Sequence, residues 1–325
     1  MISRPRLQRA ASQIASQITG NRVRPRLRTG LMPALLASLL LTTLAAAPAA
    51  AEVIHEERSL YRNILVRQIG DERCLLFTIK RADRNQSCIN LADPDRLVFP
   101  YARMMLGGLM VNPAPERILM IGLGGGTLPR LYASLLPDTH QDLVEIDSAV
   151  VRVARDYFLF EETPQMQVHV RDARVFVKRA LSAGQTYDYI MLDAFTGDYI
   201  PEHLLSQEFL EEVRGILAPG GVVVANTFAS SGLYDHESAT YDAVFDSVAE
   251  LRLPVTLNRI LIATDAPWPD LDTRLARAEA LAPQLRRFRV DPTTLARNMK
   301  LDYAYDRDAR LLTDQYSPAN LLRDQ

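Results

Sequence analysis

Cysteine is scarce in this chain, two in 325 residues, too few for a disulfide framework or a cysteine-based zinc site. Five scattered histidines, none in an HExxH spacing, give no reason to expect a metal. Glycine and proline stand at ordinary levels, 15 and 19 residues, and 48% of the chain is hydrophobic, so fibrous and disordered classes fall away and a sizeable core is expected. Lysine, aspartate and glutamate are absent from the first 50 residues, which hold seven arginines; a whole-chain net charge of −2 therefore leaves −9 on the rest. That balance argues against nucleic acid as a partner. An acidic body attracts cationic small substrates, and it equally serves solubility alone.

Arg22, Arg24, Arg26 and Arg28 precede an uncharged run from Thr29 to Ala51, Leu-rich from Leu31 to Leu44 and then Ala-rich up to Glu52. A basic region, an apolar stretch and a small-residue cleavage stretch read as an export signal over residues 1–51, cut after Ala51. An uncleaved anchor is the alternative, needing about 20 apolar residues and so the Ala-rich tail as well; a start assigned too far upstream is a third. The leader has no Arg-Arg pair, so the twin-arginine route is not indicated. Both export readings place residues 52–325 in the periplasm or outside the cell, with membrane contact only through the leader.

From Glu56 to Asn90 the segments LYRNILVRQI, RCLLFTI and NQSCINL alternate, broken by Gly70-Asp71 and by polar residues 80–85, which predicts a small antiparallel sheet. Leu97 to Val111 has near-helical apolar spacing, and Asn112-Pro113-Ala114-Pro115 marks a linker. Residues 52–112 thus read as an N-terminal β-rich cap with a helix, and residues 113–325 as the main domain. There RILMIG (117–122), DLVEID (142–147), MQVHVRD (166–172), YDYIMLDA (187–194) and GVVVANTF (221–228) alternate with helix-length stretches. Continuous apolar strands interleaved with helices predict an open, doubly wound, mostly parallel α/β sheet, with its ligand crevice at the C-terminal strand ends. Pro254 to Thr264 should complete the sheet, and Arg274 to Arg289 reads as a charged amphipathic helix.

The first of these strands ends in Gly122-Leu123-Gly124-Gly125-Gly126-Thr127 and runs into a helix, so the backbone can turn sharply and approach a ligand. Glu145 ends the next strand, where a carboxylate can accept from both hydroxyls of a ribose. That pair fits either an S-adenosylmethionine-type or a dinucleotide site. Asp172-Ala173 after the third strand and Asp193 after the fourth favour the former, because a polar side chain at the third can meet an adenine amino group and one at the fourth faces the reactive half.

The motifs GLGGGT, VEIDSAVVRVA, RDAR, YDYIMLDAF and LLTDQYSPANLL resemble the spermidine synthase-like branch of the polyamine aminopropyltransferases. ERSLYRNILV and NQSCINLADPDRLVFPYARMM fit that family's cap, so the resemblance runs from about Glu57 to Leu322. It implies a seven-stranded, class I methyltransferase-like sheet, decarboxylated S-adenosylmethionine as donor, and a small amine such as putrescine as acceptor, with no metal. Carried over by position, Gly122, Gly124, Gly126, Glu145, Asp147, Asp172 and Ala173 would hold the nucleoside and Asp193 would be the catalytic acid residue. Gln86, Tyr101 and Asp198 would face the acceptor. The chain departs from the synthases at Gly125, where they carry an Asp for the aminopropyl ammonium, at Ala102-Arg103 and Arg62, and at Thr196. Two arginines, Arg62 and Arg103, are thereby expected near the cavity. They leave two alternatives: a methyltransferase using intact S-adenosylmethionine, whose carboxylate an arginine could pair with, and a non-catalytic exported module that binds a nucleoside or metabolite. A homodimer is left open.

Cys74 and Cys88 lie on neighbouring predicted strands. A hairpin centred near Arg81 sets them opposite each other, with Cβ atoms about 4.5–5.5 Å apart and near disulfide reach; a turn centred one or two residues later separates them. Two buried free thiols are the alternative, and an oxidising compartment favours the bridge.

Overall fold

The computed structural model describes residues 50–79, 82–195 and 199–318. Nearly all of the expected leader, and both Thr196 and Asp198, lie outside the described residues. The cap is a four-stranded antiparallel meander of β1 (Glu52–Arg58), β2 (Asn63–Ile69), β3 (Glu72–Ile79) and β4 (Ala82–Asn90). It has one strand more than the sequence pattern shows. β1 is an edge strand whose EVIHEER sequence turns charged side chains to water, so it carries no apolar alternation.

β3 and β4 pair Ile79 with Ala82 and Leu76 with Asn85, and a bulge at Gln86 then shifts the register so that Leu75 faces Ser87 and Cys74 faces Cys88. The two cysteines form a disulfide with Cα atoms 4.1 Å apart. Ile64, Val66, Leu75, Phe77 and Ile89 of the cap share one apolar cluster with Val150, Val153 and Phe158 of the main domain, which seats the cap over the C-terminal ends of the main strands.

The stretch expected as one helix from Leu97 to Val111 is shorter and tighter. α1 (Pro100–Met104) starts on a proline, which suits the first helical position, and continues as 3₁₀ turns over Met105–Met110. Gly108 explains the tightening: a Cβ there would collide with the Tyr189 hydroxyl and Val224, so only bare backbone can lie this close to the sheet.

The main domain follows as β5 (Arg117–Ile121), α2 (Thr127–Leu135), β6 (His140–Glu145), α3 (Ser148–Tyr157), β7 (Met166–Val170), α4 (Ala173–Ser182), β8 (Tyr187–Leu192), α5 (Gln207–Gly215), β9 (Leu217–Phe228), α6 (Tyr234–Val244), β10 (Ser247–Arg252), β11 (Asn258–Thr264), α7 (Leu271–Leu285), α8 (Pro292–Asn298) and β12 (Met299–Lys300). Strand order is β12-β10-β11-β9-β8-β5-β6-β7, with parallel pairing from β9 through β7 and antiparallel pairing of β11 with both β9 and β10. Seven strands form the expected sheet, and the two-residue β12 adds an eighth at the edge of β10.

Side chains alternate along each strand into two cores: Ile118, Met120, Val224 and Ile262 meet α2, α7 and α8, while Leu119, Ile121, Val223 and Leu261 meet α4, α5 and α6. Burial of both faces is why β5, β8 and the buried half of β9 read as apolar runs. The order reverses between β5 and β8, which places the crevice of such a sheet at their C-terminal ends. Among the described residues no helix is long and apolar enough to cross a membrane.

Candidate active site

A cleft holding about 1070 Å³ of empty space, its open mouth included, lies at that reversal, roofed by the cap. Gly122, Gly124, Glu145, Asp172, Ala173 and Asp193 line it from the main domain, and Gln86 and Tyr101 from the cap side. The loop after β5 passes against the end of β8: Gly122 has φ +98, and a Cβ on it would collide with the Asp193 carbonyl. At Gly125 a Cβ would stand 2.8 Å from Ser87 Oγ and 3.0 Å from the Phe158 ring, so Ser87 and Phe158 occupy the space a longer residue would need.

Glu145 is buried at the end of β6, with Oε2 accepting from the Leu123 backbone N–H (3.2 Å) and Oε1 from that of Asp147 (3.0 Å). Burial pushes its carboxyl up, while those two donors and Arg62 pull it back. Each oxygen has lone pairs to spare for a diol.

Two expected residues stand outside the lining. Gly126 caps α2, where a Cβ would run into the Phe160 ring. Asp147 spends its carboxylate on the α3 N-terminus, through the Ala149 N–H, and on Ser59 Oγ at 2.5 Å. Asp172 caps α4 through the Val175 N–H, and its other oxygen lies 3.1 Å from His203 Nε2. Arg174 of the same motif points away, pairing with Glu212 and Asp314.

Of the two arginines expected near the cavity, Arg62 lines it and Arg103 does not. Helical rotation of about 100° per residue turns Arg103 to the far side of α1 from Tyr101. Arg62 lies over the Phe77 ring (4.3 Å), donates to the Phe195 carbonyl (3.1 Å) and sits 3.8 Å from Asp147, so it joins the cap to both walls of the cleft.

Asp193 lies at the centre. Its Oδ2 accepts from the Tyr101 hydroxyl (3.3 Å) and its Oδ1 from Asn226 Nδ2 (2.8 Å). Burial pushes its carboxyl up to about 7, against the opposing pull of those two donors, and burial beside Asp193 holds the Tyr101 phenol firmly protonated. Beyond Asp193 the space continues into a chamber of about 460 Å³ lined by Gln86, Tyr101, Phe195, Asn226, Phe228 and Asn258 among others.

Asn226, Asn258 and His203 do not stand out in the sequence. Asn226 leaves one trace there, a polar residue inside the buried run GVVVANTF of β9. Among the described residues, the one grouping of metal-type ligand atoms is Glu72 with Cys74 and Cys88, whose sulfurs are bonded to each other.

A family model described as the spermine/spermidine synthase domain matches residues 98–251. A polyamine aminopropyltransferase of Vibrio vulnificus is 48% identical over 274 residues, covering 83% of this chain and 91% of that protein. Among solved structures, a probable spermidine synthase from Corynebacterium glutamicum superposes with a TM-score of 0.60 at 24% identity, over 78% of this chain and 97% of that one. Human methyltransferase-like protein 13, in complex with SAH, gives 0.53 at 28% identity, over 67% and 100%.

Proposed function

The chain belongs to the polyamine aminopropyltransferase family, and we propose that it moves the aminopropyl group of decarboxylated S-adenosylmethionine onto a small amine such as putrescine. The observation that carries the reading is the carboxylate of Asp193 on the wall of the cleft, held by Tyr101 and Asn226, both of which also line the chamber beyond, with its carboxyl pushed up to about 7. An acceptor amine is an ammonium at neutral pH, by analogy with lysine at about 10.4, and only its neutral form is nucleophilic.

In the reaction the nitrogen attacks the methylene carbon bound to sulfur. A C–N bond forms as the C–S bond breaks, the sulfur keeps the electron pair and loses its charge, and methylthioadenosine leaves. The proton shed by the nitrogen goes to Asp193 Oδ, a base whose affinity near 7 suits general catalysis at neutral pH. Glu145 would hold the ribose and Asp172 the adenine amino group, and in-line positioning of the two substrates supplies much of the acceleration. Asp193→Asn keeps the shape and removes the base, so turnover should fall on the order of 100-fold or more with nucleoside affinity retained. Unchanged turnover would remove Asp193 from the reaction.

Arg62 favours a second reading, methyl transfer from intact S-adenosylmethionine, because a guanidinium on the cleft wall could pair with that donor's carboxylate. The by-product separates the two: methylthioadenosine for aminopropyl transfer, S-adenosylhomocysteine for methyl transfer.

For the compartment we infer export, supported by the basic and apolar pattern of residues 1–51 and by the Cys74–Cys88 bond, since disulfides persist in oxidising compartments. Intact mass of the protein isolated from cells reads both features. A chain beginning near Glu52 in the disulfide form is expected; a full-length cytoplasmic chain with two free thiols would reject export.

A further inference from the structure

Between Asp193 and the turn that precedes β11 runs a file of hydrogen bonds with a single direction. Thr256 Oγ donates to Asn258 Oδ1 (2.7 Å), Asn258 Nδ2 donates to Asn226 Oδ1 (2.9 Å), and Asn226 Nδ2 donates to Asp193 Oδ1 (2.8 Å). Thr256 Oγ itself accepts from the Asn258 backbone N–H (3.1 Å), which leaves its one proton to point onward. A carboxamide has an acceptor at one end and a donor at the other, so each amide that turns obliges the next to turn. The file therefore delivers an N–H, and not a carbonyl, to Asp193.

We propose that Thr256 and Asn258 are positioning residues that, acting through Asn226, keep Asp193 a usable base, a role that rests on the reading of Asp193 as that base. Burial disfavours the carboxylate, and a donor aimed at Oδ1 opposes that cost; a carbonyl in the same place would add to it. Thr256 lines neither the cleft nor the chamber, and the file is what joins it to Asp193.

The other groups facing Asp193 are named by the same cleft. Tyr101 from α1 donates to Oδ2, and Glu145, Arg62, Arg171, Asp172 and His203 line the walls. Tyr101 shares the chamber with Asn258, and among the described residues no hydrogen bond joins Thr256 or Asn258 to any of these groups.

Titration of the Asp193 carboxyl in the ligand-free protein tests this without reference to any substrate, by isotope-edited carboxyl NMR with Asp193→Asn identifying the signal. Thr256→Val and Asn258→Leu should each raise its midpoint by about 0.5–1 pH unit, since a hydrogen bond to a charged group is worth about one unit or more. Thr256→Ser, which keeps the hydroxyl, should leave the midpoint where it was. The acid limb of kcat/KM should move with the titration while KM for the nucleoside does not. Folded Thr256→Val and Asn258→Leu proteins that both titrate as wild type would overturn the proposal, and so would a Thr256→Ser shift as large as that of Thr256→Val. Should the titration move while no transfer activity is found, the file stands and the functional reading of Asp193 falls.

Discussion

A carboxyl pushed up to about neutrality by its surroundings is a cost to the fold. Asp193 titrates at about 7 and a free Asp at about 3.9, so between those values the folded chain keeps a proton that the unfolded chain has lost. Stability contributed by this group therefore falls as pH rises through that window, and the full cost is present above about 7. Asp193→Asn, which never ionises, should raise stability at pH 8 by on the order of 2 kcal/mol and by much less at pH 5. Melting temperatures of the two proteins at both pH values measure it; a difference that does not grow with pH would mean that the carboxylate is not strained. The variant expected to stabilise is also the one expected to lose turnover, as is common where a site is built against the stability of its own fold. Glu145, Asp172 and Asp193 could be picked out from the sequence because each follows an apolar strand. The Asn226–Asn258 contact could not, since it joins diagonal positions on β9 and β11, 32 residues apart.

At the scale of elements, legibility followed burial. β5, β8 and the buried half of β9 are covered on both faces and read as apolar runs; edge strand β7 (MQVHV) leaves Gln167 and Val170 exposed, and β10 (SVAELR) hides a buried Glu250 that accepts from the Tyr234 hydroxyl and so breaks its pattern. The expected single helix before the linker ignored Gly108, whose bare backbone lies against Tyr189 and Val224. Gly108→Ala should cost about 1–3 kcal/mol through overpacking, read as a lower denaturant midpoint with an unchanged slope; a neutral result would mean that the 3₁₀ segment can shift away from the sheet. The cap hairpin was legible by counting alone, and the structure adds the bulge at Gln86, the same residue that faces the cleft. Bulges commonly re-aim side chains beside functional sites, which links the irregularity of β4 to the lining of the cleft.

On the scale of the whole molecule, a methyltransferase-like sheet supplies the nucleoside cleft and the cap closes it, with Arg62 reaching from the cap to the loop after β8. Outside the first 50 residues the chain carries a net charge of −9, a field that draws cations toward it. In aminopropyl transfer the donor, a sulfonium, and the acceptor, an ammonium, are both cations. The most direct measurement incubates the purified protein with decarboxylated S-adenosylmethionine and putrescine and quantifies nucleoside and amine products by chromatography. The account predicts methylthioadenosine and aminopropylated amine in equal amounts, with both lost in Asp193→Asn. Methylthioadenosine that binds but is never produced with any amine, or S-adenosylhomocysteine formed instead from the intact donor, would contradict it.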